Sequence, residues 1–283
     1  MSGKLAGIEA RSATARQLDA VIGAMRGIAA ARSREAQRRL PGIRSSAATV
    51  GAAIGAVLGH RMPHPPPESP SEPRARIVIA LCSEQGFVGA FNERILDYSQ
   101  NCIVHAQSEL MLVGTRGELL AKERRCPVLW NSPAASHADD VLSLAGRITD
   151  ALYQRLATRA IDSVSLVHAL PGATPSGEIV ERRLIPLDFS RFRAVESSVP
   201  PLLNLPVEGL LAALVESYVF VEICEALMLS FAAENEARMR AMLAARANVQ
   251  DTLDELTQSY RRVRQDEITD DIVELAAGAG QAQ

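Results

Sequence analysis

The sequence predicts an α/β domain with a mostly parallel sheet, inserted between two long terminal helices that form an antiparallel coiled coil. Three observations carry this. Apolar residues near both ends recur at spacings of three and four, the signature of a helix that buries one stripe against another helix. A proline tract then separates the first repeat from a middle region in which strand-like and helix-like stretches alternate. Finally, the pattern from Val207 to Ala279 would extend on the order of 100 Å as one helix at the usual rise per residue. A 283-residue chain has no core that could swallow such a helix, so pairing it with the first long helix is the economical solution. The expected organisation is an N-terminal coiled-coil helix over 1–60, a linker over 61–74, a Rossmann-like α/β domain over 75–192, a connecting loop over 193–206 and a C-terminal coiled-coil helix over 207–283.

In the first helix Ile22, Met25, Ala29, Arg32 and Ala36 form one seam, and Ile43, Ala47, Val50, Ile54 and Val57 continue it. Gly23, Gly27, Gly51 and Gly55 each cost a helix about 1 kcal/mol relative to Ala, which suggests close helix approach. Pro41 removes a backbone donor and crowds the carbonyl of Gln37, so a kink or break is expected there. The linker "HRMPHPPPESPSEP" forbids further helix. After it, "ARIVIALCS" predicts a buried strand, "ILDYSQNCIVHA" a helix, "ELMLVG" a strand, "RGELLAKER" a helix and "CPVLW" a short strand. "ADDVLSLAGRITDALYQRLAT" then predicts a helix, and "IDSVSLVHAL" and "EIVERRLIPLDF" strands. In the last helix Val249, Leu253, Leu256, Tyr260 and Val263 make the seam, resumed by Ile268, Ile272 and Leu275.

Composition limits the function classes. Aromatics are only 4% against 47% hydrophobic, so the apolar mass is aliphatic and helix-favouring. The net charge of −3 conceals an asymmetry: residues 1–50 hold nine basic and three acidic side chains, and residues 251–274 hold three basic and eight acidic ones. That complement fits pairing of the two ends, and the acidic stretch makes a nucleic-acid role for "RSREAQRR" unattractive. No apolar run of membrane-crossing length is expected. Cys82, Cys102, Cys126 and Cys224 lie far apart without ligand spacing and read as reduced, mostly buried thiols. His60, His64, His105, His137 and His168 are scattered, with no metal or Ser/His/Asp constellation. "GFVGAF" lacks the GxGxxG spacing of a dinucleotide turn.

Specific segments add a family resemblance. "AMRGIAAARSREAQ" (24–37), "ENEARMRAMLAARANV" (234–249) and "RQDEIT" (264–269) resemble the terminal helices of the gamma subunit of F-type ATP synthases. "CSEQGFVGAFN" (82–92) is similar to that family's Ser-Asp-Arg-Gly-Leu-Cys-Gly-Gly-Phe-Asn turn, matching at Ser83, Gly86, Gly89, Phe91 and Asn92. Glu84, Gln85, Val88 and Ala90 stand at the family's acidic, arginine, cysteine and second glycine positions, which suggests a divergent bacterial branch.

The resemblance implies a central rotating shaft that couples ion-driven rotation of a membrane c-ring to ATP synthesis or hydrolysis in a ring of three alpha and three beta subunits. The epsilon subunit would be a further partner. No cofactor, metal or catalytic residue of its own is implied, and the expected location is peripheral, on the cytoplasmic side of a bacterial inner membrane. Arg264, Gln265 and Thr269 match a hydrogen-bonding catch on beta subunits, since a guanidinium fork suits a carboxylate. Met25, Arg26, Arg32 and Arg34 match, in part, the segment facing an acidic beta-subunit loop. An arginine-glutamine pair on a helix is by itself usually a solvated face, and Met25 fits plain core equally well. Two other classes stand beside the shaft. A Rossmann-like ligand-binding enzyme would keep its ligand after both terminal helices were removed. A coiled-coil adaptor would present an unpaired apolar face flanked by basic residues.

Overall fold

The computed structural model describes residues 2–61, 75–103, 108–172, 177–192 and 203–280. The proline-rich linker therefore lies outside the described residues apart from its first residue, and so does most of the 193–206 loop. The elements in order are α1 (Ser2–Arg61), β1 (Arg76–Leu81), α2 (Phe91–Cys102), β2 (Ser108–Val113), α3 (Thr115–Glu123), β3 (Trp130–Ser132), α4 (Val141–Thr158), β4 (Ser163–Leu170), β5 (Glu178–Ile185) and α5 (Val207–Gly280). The chain divides into two units, Ala29–Arg238 and the pair Met1–Ile28 with Met239–Gln283.

In the larger unit the sheet order is β3-β2-β1-β4-β5. β1 pairs parallel with β2 and with β4, β2 parallel with β3, and only β5 runs antiparallel, against β4. Because successive strand side chains point to opposite faces, β1 serves two cores. Ile77, Ile79 and Leu81 face one, together with Met111 and Leu166, against α4 (Val141, Leu144, Ile148, Leu152) and α5 (Val219, Ile223, Leu227). Val78 and Ala80 face the other, with Leu112 and Val167, against Phe91, Ile95 and Leu96 of α2 and Ala233 and Ala237 of α5. Each fully buried Ile or Leu contributes about 1.5–3 kcal/mol relative to exposure, which is why the β1 run reads as continuous apolar sequence rather than alternation.

Three local expectations shift. β3 starts at Trp130 instead of Cys126, and α2 starts at Phe91, four residues before the expected Ile95. α1 also runs through Pro41 without a break. Pro41 is exposed, so the carbonyl of Gln37 that loses its partner can face water, while Ala36 and Leu40 are anchored in the core on the opposite side. At Gly51 the crowding comes from the Phe192 ring, 3.3 Å from a would-be Cβ and outside the long helices, with Tyr218 of α5 at an ordinary 3.8 Å, so a close approach exists there but not mainly between helices. The glycine reading fails at Gly23 and Gly27, where nothing lies within 4 Å.

The hydropathy expectation also needs correction. An 18-residue window of α1 reaches a mean hydropathy of 1.2, so by length and composition alone the helix could cross a membrane. The Ala- and Gly-rich run around Gly51 raises the average, and Ile54 and Val57 in it are buried.

In the smaller unit the start of α1 and the end of α5 pack as an antiparallel pair. Ile22, Met242 and Val249 form its core, with Ala15, Met25, Ala245 and Leu253 around them. Arg246 donates from Nε and Nη2 to the two carboxylate oxygens of Asp19 at 2.9 and 3.4 Å, and Gln250 donates to the same carboxylate at 3.1 Å. The bond from Arg246 is the main reason the Asp19 carboxyl is held below its ordinary range.

This register overturns the charge complement expected between the chain ends. Counting back from Asp19 to Ser2 and forward equally from Arg246 and Gln250 sets the start of α1 opposite residues 263–267. The acidic residues beyond that point have no described part of α1 opposite them, and the arginines of α1 come opposite earlier parts of α5. Among the described residues no ion pair joins the acidic 251–274 stretch to α1; the pairs that do form use Asp19 with Arg246 and, in the larger unit, Arg44 with Glu225. In this stretch Ile268, Ile272 and Val273 are 52–60% exposed, although Ile268 and Ile272 repeat the seam.

Candidate functional site

The turn after β1 is built to be rigid. Asn92, the second residue of α2, reaches back so that its Oδ1 accepts from the Ser83 amide at 2.9 Å, while its Nδ2 donates to Ser83 Oγ at 2.9 Å. Ser83 Oγ in turn donates to the Gln85 carbonyl at 3.0 Å. Both side chains are buried, so these bonds exchange no partner with water. Phe87 and Gly89 take left-handed backbone angles (φ 61° and 59°), which brings the chain round and leaves the Phe87 ring 65% exposed at the tip.

Glu84, at the family's acidic position, serves the neighbouring strand end. Its carboxylate accepts from the Thr115 amide at 3.1 Å, the Thr115 hydroxyl at 2.7 Å and the Ala134 amide at 2.7 Å. A negative group at the start of α3 satisfies orphan donors and meets the positive end of the helix dipole. The approach is close because residue 114 is glycine: with φ at 107°, a Cβ there would lie 2.5 Å from the Cys82 carbonyl oxygen.

Arg238 of α5 closes the arrangement from the helix side. Its Nε donates to the Gly86 carbonyl and its Nη2 to the Gln85 carbonyl, both at 3.2 Å; the same Nη2 donates to Glu234 at 2.7 Å and Nη1 to Asn235 at 3.1 Å. The side chains of Arg238 and Glu234 are 6% and 8% exposed. Burial pushes the Glu234 carboxyl up, with Arg238 opposing. A second buried charge group lies further up α5. Arg182 of β5 donates to Glu222 and Glu225 at 3.1 and 3.0 Å, and Arg44 of α1 donates to Glu225 at 2.8 Å. Desolvation alone would raise the Glu225 carboxyl, but the bonds from Arg44 and Arg182 outweigh it and hold the group low.

At the carboxyl end of β1 the space is occupied by Glu84 and Arg238. An open groove of about 510 Å³ lies instead along β5, lined by Tyr98, Glu181, Arg182, Arg183, Pro186 and Arg191, among others. Two of its arginines already pair with Glu222. The four thiols are free: Cys82 and Cys224 are buried, and burial pushes Cys224 up to about 12 and Cys102 up to about 11.

The residues read as partner contacts fall in separate places. Arg264, Gln265 and Thr269 are exposed on the last part of α5, and the Thr269 hydroxyl donates to the Gln265 carbonyl at 2.9 Å. Met25 is half-buried beside the Ile22–Met242 core, Arg26 and Arg32 are half-exposed and Arg34 is exposed. By the register above, Arg264 and Gln265 lie opposite the first turns of α1, well along the pair from Met25 and Arg26. Sequence reasoning assigned no role to Arg238, Glu234, Glu222 or Glu225. Their signal was present, however: charges inside the apolar run "VEICEALMLSFAAENEARMR", where a solvated face would not be expected.

Comparison with known proteins gives a consistent result. A family model described as ATP synthase matches residues 4–281. The ATP synthase gamma chain of Clostridium perfringens is 28% identical over 208 residues, covering 72% of this chain and 71% of that one. The ATP synthase gamma chain of Streptomyces avermitilis is 29% identical over 217 residues, covering 71% and 70%. Two solved structures share the fold. One, from the central stalk and c-ring of the Tetrahymena thermophila mitochondrial ATP synthase, has a TM-score of 0.58 at 20% identity and covers 80% of this chain and 99% of that one. The other, from the OSCP/F1/c-ring assembly of the Euglena gracilis mitochondrial ATP synthase in rotational state 3, has a TM-score of 0.68 at 12% identity and covers 98% and 94%.

Proposed function

The chain belongs to the ATP synthase gamma family, and from that premise we propose that it is the central rotating shaft of an F-type ATP synthase. In this role it couples ion-driven rotation of a c-ring to ATP synthesis or hydrolysis in an alpha/beta ring. The observation that carries the reading is a single family match from residue 4 to residue 281 over a fold in which both terminal helices pack on each other. A shaft acts by linking its angle to the affinity of sites on its partners. It needs stiffness and directional contacts, and it supplies no catalytic group of its own. It forms part of a membrane-associated complex, with the epsilon subunit as a further partner, peripheral on the cytoplasmic side of a bacterial inner membrane.

Within this function Arg264 and Gln265 act as the catch on beta-subunit loops, with Thr269 beside them. What supports this is their exposure at the end of α5, where the guanidinium is free to fork onto a carboxylate. Met25, Arg26, Arg32 and Arg34 face an acidic loop of a beta subunit, the three arginines supplying the basic charge that attracts it. The division into terminal helices, linker and α/β domain at 60, 74, 192 and 206 is retained as part of the same proposal. A Rossmann-like enzyme is the weaker reading, because the strand ends where such sheets bind ligands are filled by Glu84 and Arg238.

Co-purification from gently solubilised membranes tests the proposal. Recovery with three alpha and three beta subunits per copy is expected. Recovery as a lone chain or with unrelated partners would overturn it.

A further inference from the structure

A helix seated on a sheet by apolar side chains is held against removal but weakly against turning, because apolar contact is non-directional. The α5 seat in the larger unit is largely of this kind: Ala226, Leu227, Leu229, Ala232, Ala233 and Ala237 lie on its buried face, beside the larger Val219, Ile223, Met228 and Phe231. The directional contacts on this stretch cluster at two points. At one, Arg182 and Arg44 bond to Glu222 and Glu225. At the other, Arg238 bonds to the carbonyls of Gln85 and Gly86, the Ser230 hydroxyl donates to the Leu81 carbonyl at 3.3 Å, and Glu236 accepts from the Gly172 amide past β4 at 2.9 Å. Glu225 and Arg238 are 13 residues apart, about 20 Å along the helix.

The second point occupies a distinctive position. Leu81, Gln85 and Gly86 lie at and just past the carboxyl end of β1, whose neighbours are β2 on one side and β4 on the other. In doubly wound sheets that end, where strand order reverses, is where ligands bind. Here the place is taken by the chain's own α5.

We infer that this strand-end seat is a torsional joint and that Arg238 is the positioning residue that fixes the rotational setting of α5 on the sheet. The inference rests on the shaft function proposed above. The guanidinium is planar with fixed donor directions, and it meets two main-chain carbonyls, of which that of Gln85 is already held by the Ser83 hydroxyl, itself fixed by Asn92. A rotation of α5 about its axis breaks both bonds at once, while Glu234 and Asn235, which lie on the same helix, turn with Arg238. A twist applied to the sheet is therefore delivered to α5 with little slack, and one applied to α5 is delivered to the sheet.

The test uses the chain assembled with its alpha and beta subunits, the ring immobilised and a bead attached through a cysteine introduced at exposed Leu119 of α3. The readout is the width of the bead's angular fluctuation in a paused state, beside unloaded ATP hydrolysis by the same complexes. Arg238→Met is expected to raise the angular variance about twofold or more, since several charge-assisted bonds are lost together, with unloaded hydrolysis retained. Arg238→Lys keeps a positive charge beside Glu234 and so protects folding, but an ammonium lacks the fork; it is expected to give an intermediate variance. Unchanged variance in an assembled Arg238→Met complex would overturn the joint. If Arg238→Met does not assemble, Arg238→Lys decides: wild-type variance overturns the joint and a raised variance supports it. Failure of the unmodified chain to assemble with the ring would instead sink the shaft function.

Discussion

Two stretches of α5 do opposite things with the same kinds of residue. Between 222 and 238 its charges are buried and committed, Glu222 and Glu225 to Arg182, and Glu234 to Arg238. Between 263 and 273 they are exposed: Arg264, Gln265 and Asp266 face solvent, and so do the apolar Ile268, Ile272 and Val273. The difference shows that along one helix the surroundings decide whether a charge holds the fold or waits for a partner. A buried ion pair is no cheap source of stability, yet breaking one leaves a charge stranded. An exposed charge changes stability little and remains available for recognition.

The sharpest way to break the comparison is Arg238→Met, which leaves Glu234 buried without its cation. Denaturant unfolding of the purified chain is expected to show a loss of about 3–5 kcal/mol, and a loss under about 1 kcal/mol would mean the buried stretch is no more committed than the exposed one.

A proton probes the same region less severely. His168 of β4 is fully buried, its Nδ1 lies 3.2 Å from the Ala169 carbonyl oxygen, and its Nε2 has no partner among the described residues. Burial is the main cause that lowers it from 6.5 to about 4. The folded chain keeps the imidazole neutral through that window while the unfolded chain takes up the proton, so stability falls as pH drops. The expected loss between pH 7 and pH 4.5 is about 2–3 kcal/mol, and His168→Leu should flatten it. Glu225 acts in the same direction at lower pH: its depressed carboxyl favours folding above the ordinary carboxylate range, and that contribution is lost as it protonates. A pH-independent midpoint from 7 to 4.5 would contradict this.

The Asp19–Arg246 pair of the smaller unit is partly exposed, and Asp19→Asn is expected to move the unfolding midpoint much less than Arg238→Met does. Smallest of all, Arg264→Ala with Gln265→Ala should leave the midpoint within about 0.5 kcal/mol while weakening binding to the alpha/beta ring. A large stability loss would place these residues with the buried stretch, and unchanged ring binding would remove them from the catch.

The alternation of strands and helices and the long terminal helices were legible in the sequence, because both rest on local periodicity that burial follows closely. Ile77 to Leu81 could hardly be anything but a buried strand. What was not legible depends on register. The charge count of the two ends suggested mutual attraction, but only the register fixed by Asp19 with Arg246 and Gln250 shows that the α1 arginines face earlier parts of α5. Pro41 illustrates the same limit: its local cost is fixed, yet Ala36 and Leu40 in the core outweigh it. The joint was half legible, since the turn residues Ser83 and Asn92 stood out while Arg238, 146 positions after Asn92, gave only the hint of a charge in an apolar run.

Glu84 carries a consequence of another kind. Helix starts of this sort attract phosphate groups, and inorganic phosphate and nucleotides surround a machine that makes or consumes ATP. Here the anion is part of the chain, tethered a few residues from β1 and bonded to two amides and a hydroxyl. Any dissolved phosphate has to compete with a carboxylate whose effective concentration is at least millimolar. The donors at the start of α3 are thereby taken by the chain's own carboxylate before a dissolved phosphate can reach them.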